Sequence, residues 1–141
     1  MANYTFSSNY TIETSPKDKA PGLADFYGAY RERYGQDPVN SVLVPQVAQG
    51  MLILQQILNN AEDIYNSETI VESALSIDIP SGTMINGWGA KFAGPEDDMP
   101  GQNTANDNVI MSQWIDGVLY QVWPEASEGV SLVLPAPAYG G

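Results

Sequence analysis

Apolar residues recur at the spacing of an α-helix in three stretches of the first half of the chain. In the first stretch, 22–34, they share one face of a predicted helix. Gly35 and then Asp37-Pro38 end this helix, as such residues commonly do. The tyrosines on the face could stack on a ligand, but we interpret them as packing on a core with their hydroxyls at its rim. The face consists of Leu23, Phe26, Tyr27, Tyr30 and Tyr34.

The second apolar stretch predicts a longer helix that ends near Asn60. Pro45 suits its first turn, and the preceding residues 42–44 form a short β-like run. Gly50 lies inside the helix, where it costs about 1 kcal/mol relative to Ala, so we expect it to mark a close contact with neighbouring backbone. The helix is predicted to be well buried, because its main face is widened by two further apolar residues. The main face is Val47, Met51, Leu54, Ile57 and Leu58, and the widening residues are Leu52 and Ile53.

A third helix is predicted after a short loop. Ser67 is a suitable N-cap, and Glu68 lies in the first turn, where a negative charge is favourable. Its core face is predicted to be Ile70, Val71, Ala74 and Leu75.

Helical spacing disappears after Ser76, and Gly and Pro recur every few residues. The short apolar runs 77–79, 83–85 and 90–92 are β-strand candidates, and 130–134 is predicted as a last short strand. Near the N-terminus, 3–14 reads as a short extended segment followed by a loop.

A β-hairpin is predicted over 109–123, because two apolar runs flank Asp116-Gly117. This pair suits a type I′ turn, which needs positive φ at both central residues. Both faces of the hairpin are mostly apolar, so we expect it to be sandwiched in a larger structure. The turn sets the pairs Ile115–Val118, Trp114–Leu119, Gln113–Tyr120, Met111–Val122 and Ile110–Trp123.

The amino-acid composition excludes several classes of function. The 141 residues are 43% hydrophobic, as in a globular domain, and carry 17 acidic against 5 basic residues, for a net charge of −12. This balance argues against binding nucleic acid or an anionic membrane, since both require clustered Lys and Arg. The chain has no Cys and no His, which excludes thiolate nucleophiles, zinc-thiolate sites and the commonest general base.

No catalytic, cofactor or metal site is predicted. The phosphate-binding glycine loops are absent, and Glu96, Asp97 and Asp98 form the densest carboxylate cluster. With Asn103, Asn106, Asp107 and Asn108 nearby, calcium binding is conceivable on composition. Because the spacing does not match an EF-hand loop, we interpret 94–101 as a solvated acidic loop.

The order of these elements resembles the C-terminal part of a type I periplasmic solute-binding protein, of the branched-chain amino acid and amide class that serves ABC importers. The first helix, ending in Tyr34-Gly35 with Pro38 nearby, is similar to a helix of that family. The resemblance continues through later helices and closing strands, at 48–60, 70–75, 101–103, 113–117, 122–124 and 134–137.

The resemblance implies an α/β fold of two lobes that close on a solute held between them. It assigns 21–76 to the helical part of one lobe and 77–141 to a crossover and the β-rich part of the other, with 1–20 as an extended segment and loop. The segment that enters the second helix then lines or borders the solute site, the alternative being a buried strand-to-helix junction. Its residues are Leu43, Val44, Pro45 and Gln46. The family often has a Tyr just after this point, where this chain has Ala48-Gln49-Gly50.

The implied function is capture of a small polar solute, such as an amino acid or amide, for an ABC permease, with no enzymatic activity. The implied location is periplasmic or extracellular, with a lipid anchor as an option, although 1–6 do not read as a signal peptide. The family's chains are much longer, so we expect a fragment that is poorly stable, self-associates or needs a missing N-terminal portion. The alternatives are a ligand-sensing regulator of the same fold and a structural protein that assembles through its β-ribbon.

Overall fold

The computed structural model describes residues 5–8, 10–12, 19–39, 43–106 and 109–134. A short N-terminal strand precedes three helices, and the hairpin comes last, which agrees with the predicted order and with an α/β class. The elements are β1 (Thr5–Ser8), α1 (Leu23–Tyr34), α2 (Leu43–Asn60), α3 (Ser67–Ser76), β2 (Ile110–Ile115) and β3 (Val118–Trp123).

Helix α1 begins and ends where the apolar spacing predicted. Gly35 adopts a left-handed conformation, with φ 70°, and its N–H donates to the carbonyl of Arg31 at 2.8 Å, as a C-terminal glycine does. Only the first half of the predicted apolar face is buried. Leu23 and Tyr27 are inaccessible, whereas Tyr34 is 61% exposed.

The starts of α2 and α3 differ from the predictions by a residue or two. Leu43 and Val44 belong to the first turn of α2 and not to a β-like run, while Val42 lies outside the described residues. The N-cap of α3 is Asn66 and not Ser67, because the Asn66 side chain accepts a hydrogen bond from the N–H of Glu68 at 2.9 Å. Asn and Ser are both good caps, so composition alone did not separate them.

The strands form a three-stranded antiparallel sheet in the order β1-β2-β3. The predicted turn is confirmed, since φ is 51° at Asp116 and 82° at Gly117. The predicted pairs nearest the turn are also confirmed: Ile115 lies opposite Val118, Trp114 opposite Leu119 and Gln113 opposite Tyr120.

Farther from the turn, the predicted pairing of the hairpin is wrong. Met111 lies opposite Trp123 and not Val122, because a bulge shifts the register between Met111 and Ser112. A bulge places two residues of one strand opposite one of the other and strengthens the local twist. Trp123 is consequently 55% exposed, while Ile110 is buried without its predicted partner.

Residues 77–106 form no strand, and the predicted strands there are reduced to single bridges between Ile79 and Ala90 and between Phe92 and Asn103. The predicted strand at 130–134 is also absent. Turns interrupt each candidate run before a ladder can extend, as at Gly82 and Gly87, where φ is positive.

Two apolar clusters hold the described residues together. The first joins α1 to the sheet through Leu23, Tyr27 and Ile110. The second joins α2 to the irregular segment through Ile53, Ile57 and Ile77, with α3 packed beside it. Ser73 of α3 also donates a buried hydrogen bond to the carbonyl of Ile57 at 2.7 Å.

The prediction that α2 is well buried is wrong. Its buried residues are Pro45, Gln49, Ile53 and Ile57, which recur every four residues and form one face. Gly50, predicted to touch neighbouring backbone, has no atom of the described residues within 4 Å of where a Cβ would lie, apart from the nearby backbone of its own helix. The opposite side of the helix is exposed and apolar. Its C-terminal half, Met51, Leu52, Leu54 and Leu58, is called the outer face below.

Candidate functional site

The four residues predicted to border a solute site form the first turns of α2, where they point in different directions because successive helical residues are about 100° apart. Leu43 is 57% exposed, Val44 and Gln46 are half-buried, and Pro45 is buried. The structure therefore divides the predicted set instead of bringing it together.

Leu43 and Val44 line a groove between α1 and α2 with a volume of about 520 Å³. We call it the α1–α2 groove. Its opposite wall is aromatic, with the rings of Tyr30 and Tyr34 centred 4.6 Å apart. The lining residues are Phe26, Ala29, Tyr30, Arg33, Tyr34, Leu43, Val44, Val47 and Ala48.

The groove combines an apolar lining with a positive charge. Arg33 is its sole ionisable residue besides the two tyrosines, and no salt bridge to Arg33 occurs among the residues that the structure describes. Such a site suits a small molecule that has an apolar portion and a carboxylate, because a guanidinium binds carboxylates well.

Arg31, two residues away, is already engaged. It forms an ion pair with Asp37, and this hydrogen bond and the charge of Asp37 raise the pKa of Arg31. A raised pKa means that the guanidinium of Arg31 stays charged until the pH rises into the strongly alkaline range. Arg31 therefore contributes no pH dependence near neutrality, and Arg33 is the guanidinium available to the groove.

Gln46 lies on a different side of α2 and lines a smaller pocket of about 300 Å³ with Gln49, Trp88, Phe92 and Asn103. Two polar side chains of this pocket bind backbone groups outside it, whereas the buried indole N–H of Trp88 has no hydrogen-bond partner among the described residues. The side-chain oxygen of Gln49 accepts from the N–H of Asn86 at 3.1 Å, and the amide nitrogen of Asn103 donates to the carbonyl of Gly89 at 3.0 Å. The first bond ties Asn86 to α2, and the second lies within the segment 89–103.

Sequence reasoning assigned the tyrosine stripe of α1 to a core, whereas the structure places Tyr30 and Tyr34 in the groove. The neighbouring charge of Arg33 gave no signal, because adjacent helical residues lie about 100° apart and Arg33 does not fix the side on which Tyr34 lies. Periodicity alone could not show that the apolar face of α1 extends beyond the part of the helix that packs on the core.

Residues 95–101 of the acidic loop are exposed to solvent. Asp97 accepts a hydrogen bond from the N–H of Gly94 at 2.6 Å, so it closes its own turn. Throughout the described ranges, no three acidic side chains converge as a metal site would require. The helices described are also too short or too polar to cross a bilayer.

Comparison with known proteins identifies relatives over most of the chain, although no protein-family model matches it. The Leu/Ile/Val-binding protein homolog 8 of Brucella abortus is 31% identical over 122 residues, which is 85% of this chain and 28% of the relative. The Leu/Ile/Val-binding protein homolog 7 of the same species is 29% identical over 117 residues, which is 82% of this chain and 27% of the relative. This chain thus spans little more than a quarter of the relatives it matches. The family resemblance seen in its motifs is confirmed, and the chain is related to the C-terminal part of branched-chain amino acid binding proteins.

Proposed function

We propose that this chain is part of an extracytoplasmic solute-binding protein that captures a small polar solute, such as an amino acid or amide, for an ABC importer. The observation that carries the proposal is the similarity to two Leu/Ile/Val-binding protein homologs over more than four fifths of the chain. A binding role also agrees with a chain that lacks His and Cys.

The α1–α2 groove is the proposed contribution of this chain to the solute site. An apolar solute side chain would pack against Tyr30, Tyr34 and Leu43, with its carboxylate directed to Arg33. Val44 would complete the wall, buried Pro45 would fix the start of the helix, and Gln46 would border the site from the neighbouring pocket.

The two-lobed architecture belongs to the same proposal. The remaining length of the relatives would supply the N-terminal portion and the rest of both lobes, and closure of the lobes on solute would be recognised by a membrane permease. The proposed location is the periplasm or the cell exterior.

The proposal is tested with a hybrid in which this chain replaces the matched stretch of the Brucella abortus homolog 8. Leucine, isoleucine, valine and small amides are screened by thermal shift and the hits titrated by calorimetry. Binding to the native state stabilises by RT ln(1 + [L]/Kd), about 2.7 kcal/mol at one hundred times Kd. A folded hybrid that no amino acid or amide stabilises would contradict the proposal.

Substitutions then test the groove itself. Leu43→Asp places a second carboxylate in the groove, where it repels the solute carboxylate and competes with it for Arg33, and is expected to weaken the affinity at least about tenfold, which is about 1.4 kcal/mol. Tyr65→Ala is the matched control, because Tyr65 is 94% exposed and lies outside the groove. Equal affinities for the two variants would place the solute elsewhere.

A further inference from the structure

The outer face of α2 is apolar although it lies on the solvent side of the described residues. Met51 is 59% exposed, Leu54 42% and Leu58 36%. A surface helix normally buries its apolar stripe and exposes a polar face, whereas α2 carries apolar side chains both on its buried face, at Ile53 and Ile57, and on this exposed one, where Gln55 is a polar neighbour. One of its two apolar faces thus has no covering among the described residues.

The absence of charged residues distinguishes α2 from the rest of the chain. The 18 residues of α2 include no Asp, Glu, Lys or Arg, although the whole chain has a net charge of −12. Interface cores are depleted in charged residues relative to other surfaces. Solubility would favour charge at exposed positions of a surface helix, so its absence indicates that this side is covered in the working protein.

We propose that the outer face of α2 is the docking surface for the polypeptide that the full-length relatives possess in addition to the matched stretch. This inference rests on the proposed function, because it takes the chain to work as part of a longer protein. Since 122 matched residues make up 28% of homolog 8, the additional polypeptide is large enough to bury the face. The occupant is an apolar, uncharged surface of that polypeptide.

The face is distinct from the α1–α2 groove. Met51, Leu54 and Leu58 line a shallow depression farther along α2, and none of them lines the groove. The first turns of α2 would therefore meet solute, and its C-terminal half would hold the two parts of the protein together.

The labelling rate of a single introduced cysteine measures whether the outer face of α2 is covered, because the chain has no cysteine of its own. Met51→Cys and Leu58→Cys are introduced separately into the 141-residue chain and into the homolog 8 hybrid, and maleimide labelling at each site is followed by peptide mass spectrometry. Glu72→Cys is the matched control, since Glu72 is exposed on α3 and charged residues remain solvated.

In the hybrid, we expect labelling at positions 51 and 58 to be at least about tenfold slower than in the isolated chain, because reaction requires local opening. Labelling at position 72 should be equal in both. Equal rates at positions 51 and 58 in a folded hybrid would overturn the proposal. So would protection in the isolated chain at every dilution, which would show that a second copy or the chain itself covers the face.

A hybrid that does not fold is replaced by the isolated chain mixed with the remainder of homolog 8 as a separate polypeptide, where absence of protection again overturns the docking surface. The two proposals fail separately. Protected cysteines without solute binding would reject the proposed function alone, and solute binding with unprotected cysteines would reject the docking surface alone.

Discussion

The side chain of Gln113 attaches the segment 130–134, which was predicted to be a strand, to the sheet. It is completely buried, its amide nitrogen donates to the carbonyl of Val133 at 3.0 Å, and its side-chain oxygen accepts from the N–H of Val133 at 2.8 Å. This is the pair of bonds that a neighbouring strand residue would make. The segment 130–134 is thereby fastened to the sheet without joining it.

Gln113→Ala is expected to lower the free energy of unfolding by about 1–3 kcal/mol, because both bonds are lost and the Val133 peptide is left without them. Urea denaturation measures the change, and hydrogen exchange at Val133 should become faster than at the β2–β3 pairs.

Gln56→Ala is the control at this scale, since Gln56 is an exposed glutamine on α2 and its loss should change stability by less than about 0.5 kcal/mol. If the two variants were equally stable, the Gln113–Val133 pair would have no role in holding the segment.

At the scale of the element, the hairpin turn requires its glycine, whereas helix α2 does not. Gly117 has φ 82°, a conformation that L side chains rarely adopt, whereas Gly50 lies inside α2 with open space around it. Gly117→Ala should therefore destabilise by about 1 kcal/mol and Gly50→Ala should stabilise by about 0.5–1 kcal/mol. Thermal denaturation of both variants measures whether each change in stability is positive or negative. A destabilising Gly50→Ala would show that other atoms pack against α2 at this position.

The start of α3 offers a second comparison of neighbouring residues. Asn66→Ala should cost about 0.5–2 kcal/mol, because the N–H of Glu68 loses its side-chain acceptor. Ser67→Ala should be nearly neutral, since Ser67 is exposed and lies inside the helix. Urea unfolding measures the free energy of unfolding of both variants. A larger loss of stability in Ser67→Ala than in Asn66→Ala would show that Ser67 is the N-cap.

At the scale of the whole molecule, exposed apolar surface competes with charge repulsion. The outer face favours association of the isolated chain, while a net charge of −12 opposes it. Raising the salt concentration shortens the Debye length from about 30 Å at 0.01 M to about 3 Å at 1 M. We therefore expect light scattering to show increasing association with salt. The triple variant Met51→Gln, Leu54→Gln, Leu58→Gln should suppress it, and a chain monomeric at high salt and high concentration would contradict this expectation.

Local chemistry explains what the sequence predicted correctly. The end of α1 at Gly35, the interior of α2 and the Asp116-Gly117 turn each follow from residues within a few positions of one another. The same holds for the pairs next to the turn, because the turn fixes the register until something interrupts it. Within the candidate site, Leu43 and Val44 were found through the family resemblance, whereas Tyr30 and Tyr34 were assigned to a core.

Tertiary structure decided the features that depend on distant residues. The bulge opposite Met111, the attachment of Val133 to Gln113 and the separation of Gln46 from Leu43 arise from contacts that no local pattern encodes. Helical periodicity identified the apolar residues of α2 but chose the wrong main face, because Val47, Met51, Leu54 and Leu58 are exposed and only Ile57 of that face is buried. Apolar residues occur on more than one side of the helix, and burial depends on what packs there. The sequence by itself thus determined the helices, the hairpin turn and the family, while the structure decided which face of α2 is covered and which is left for a partner.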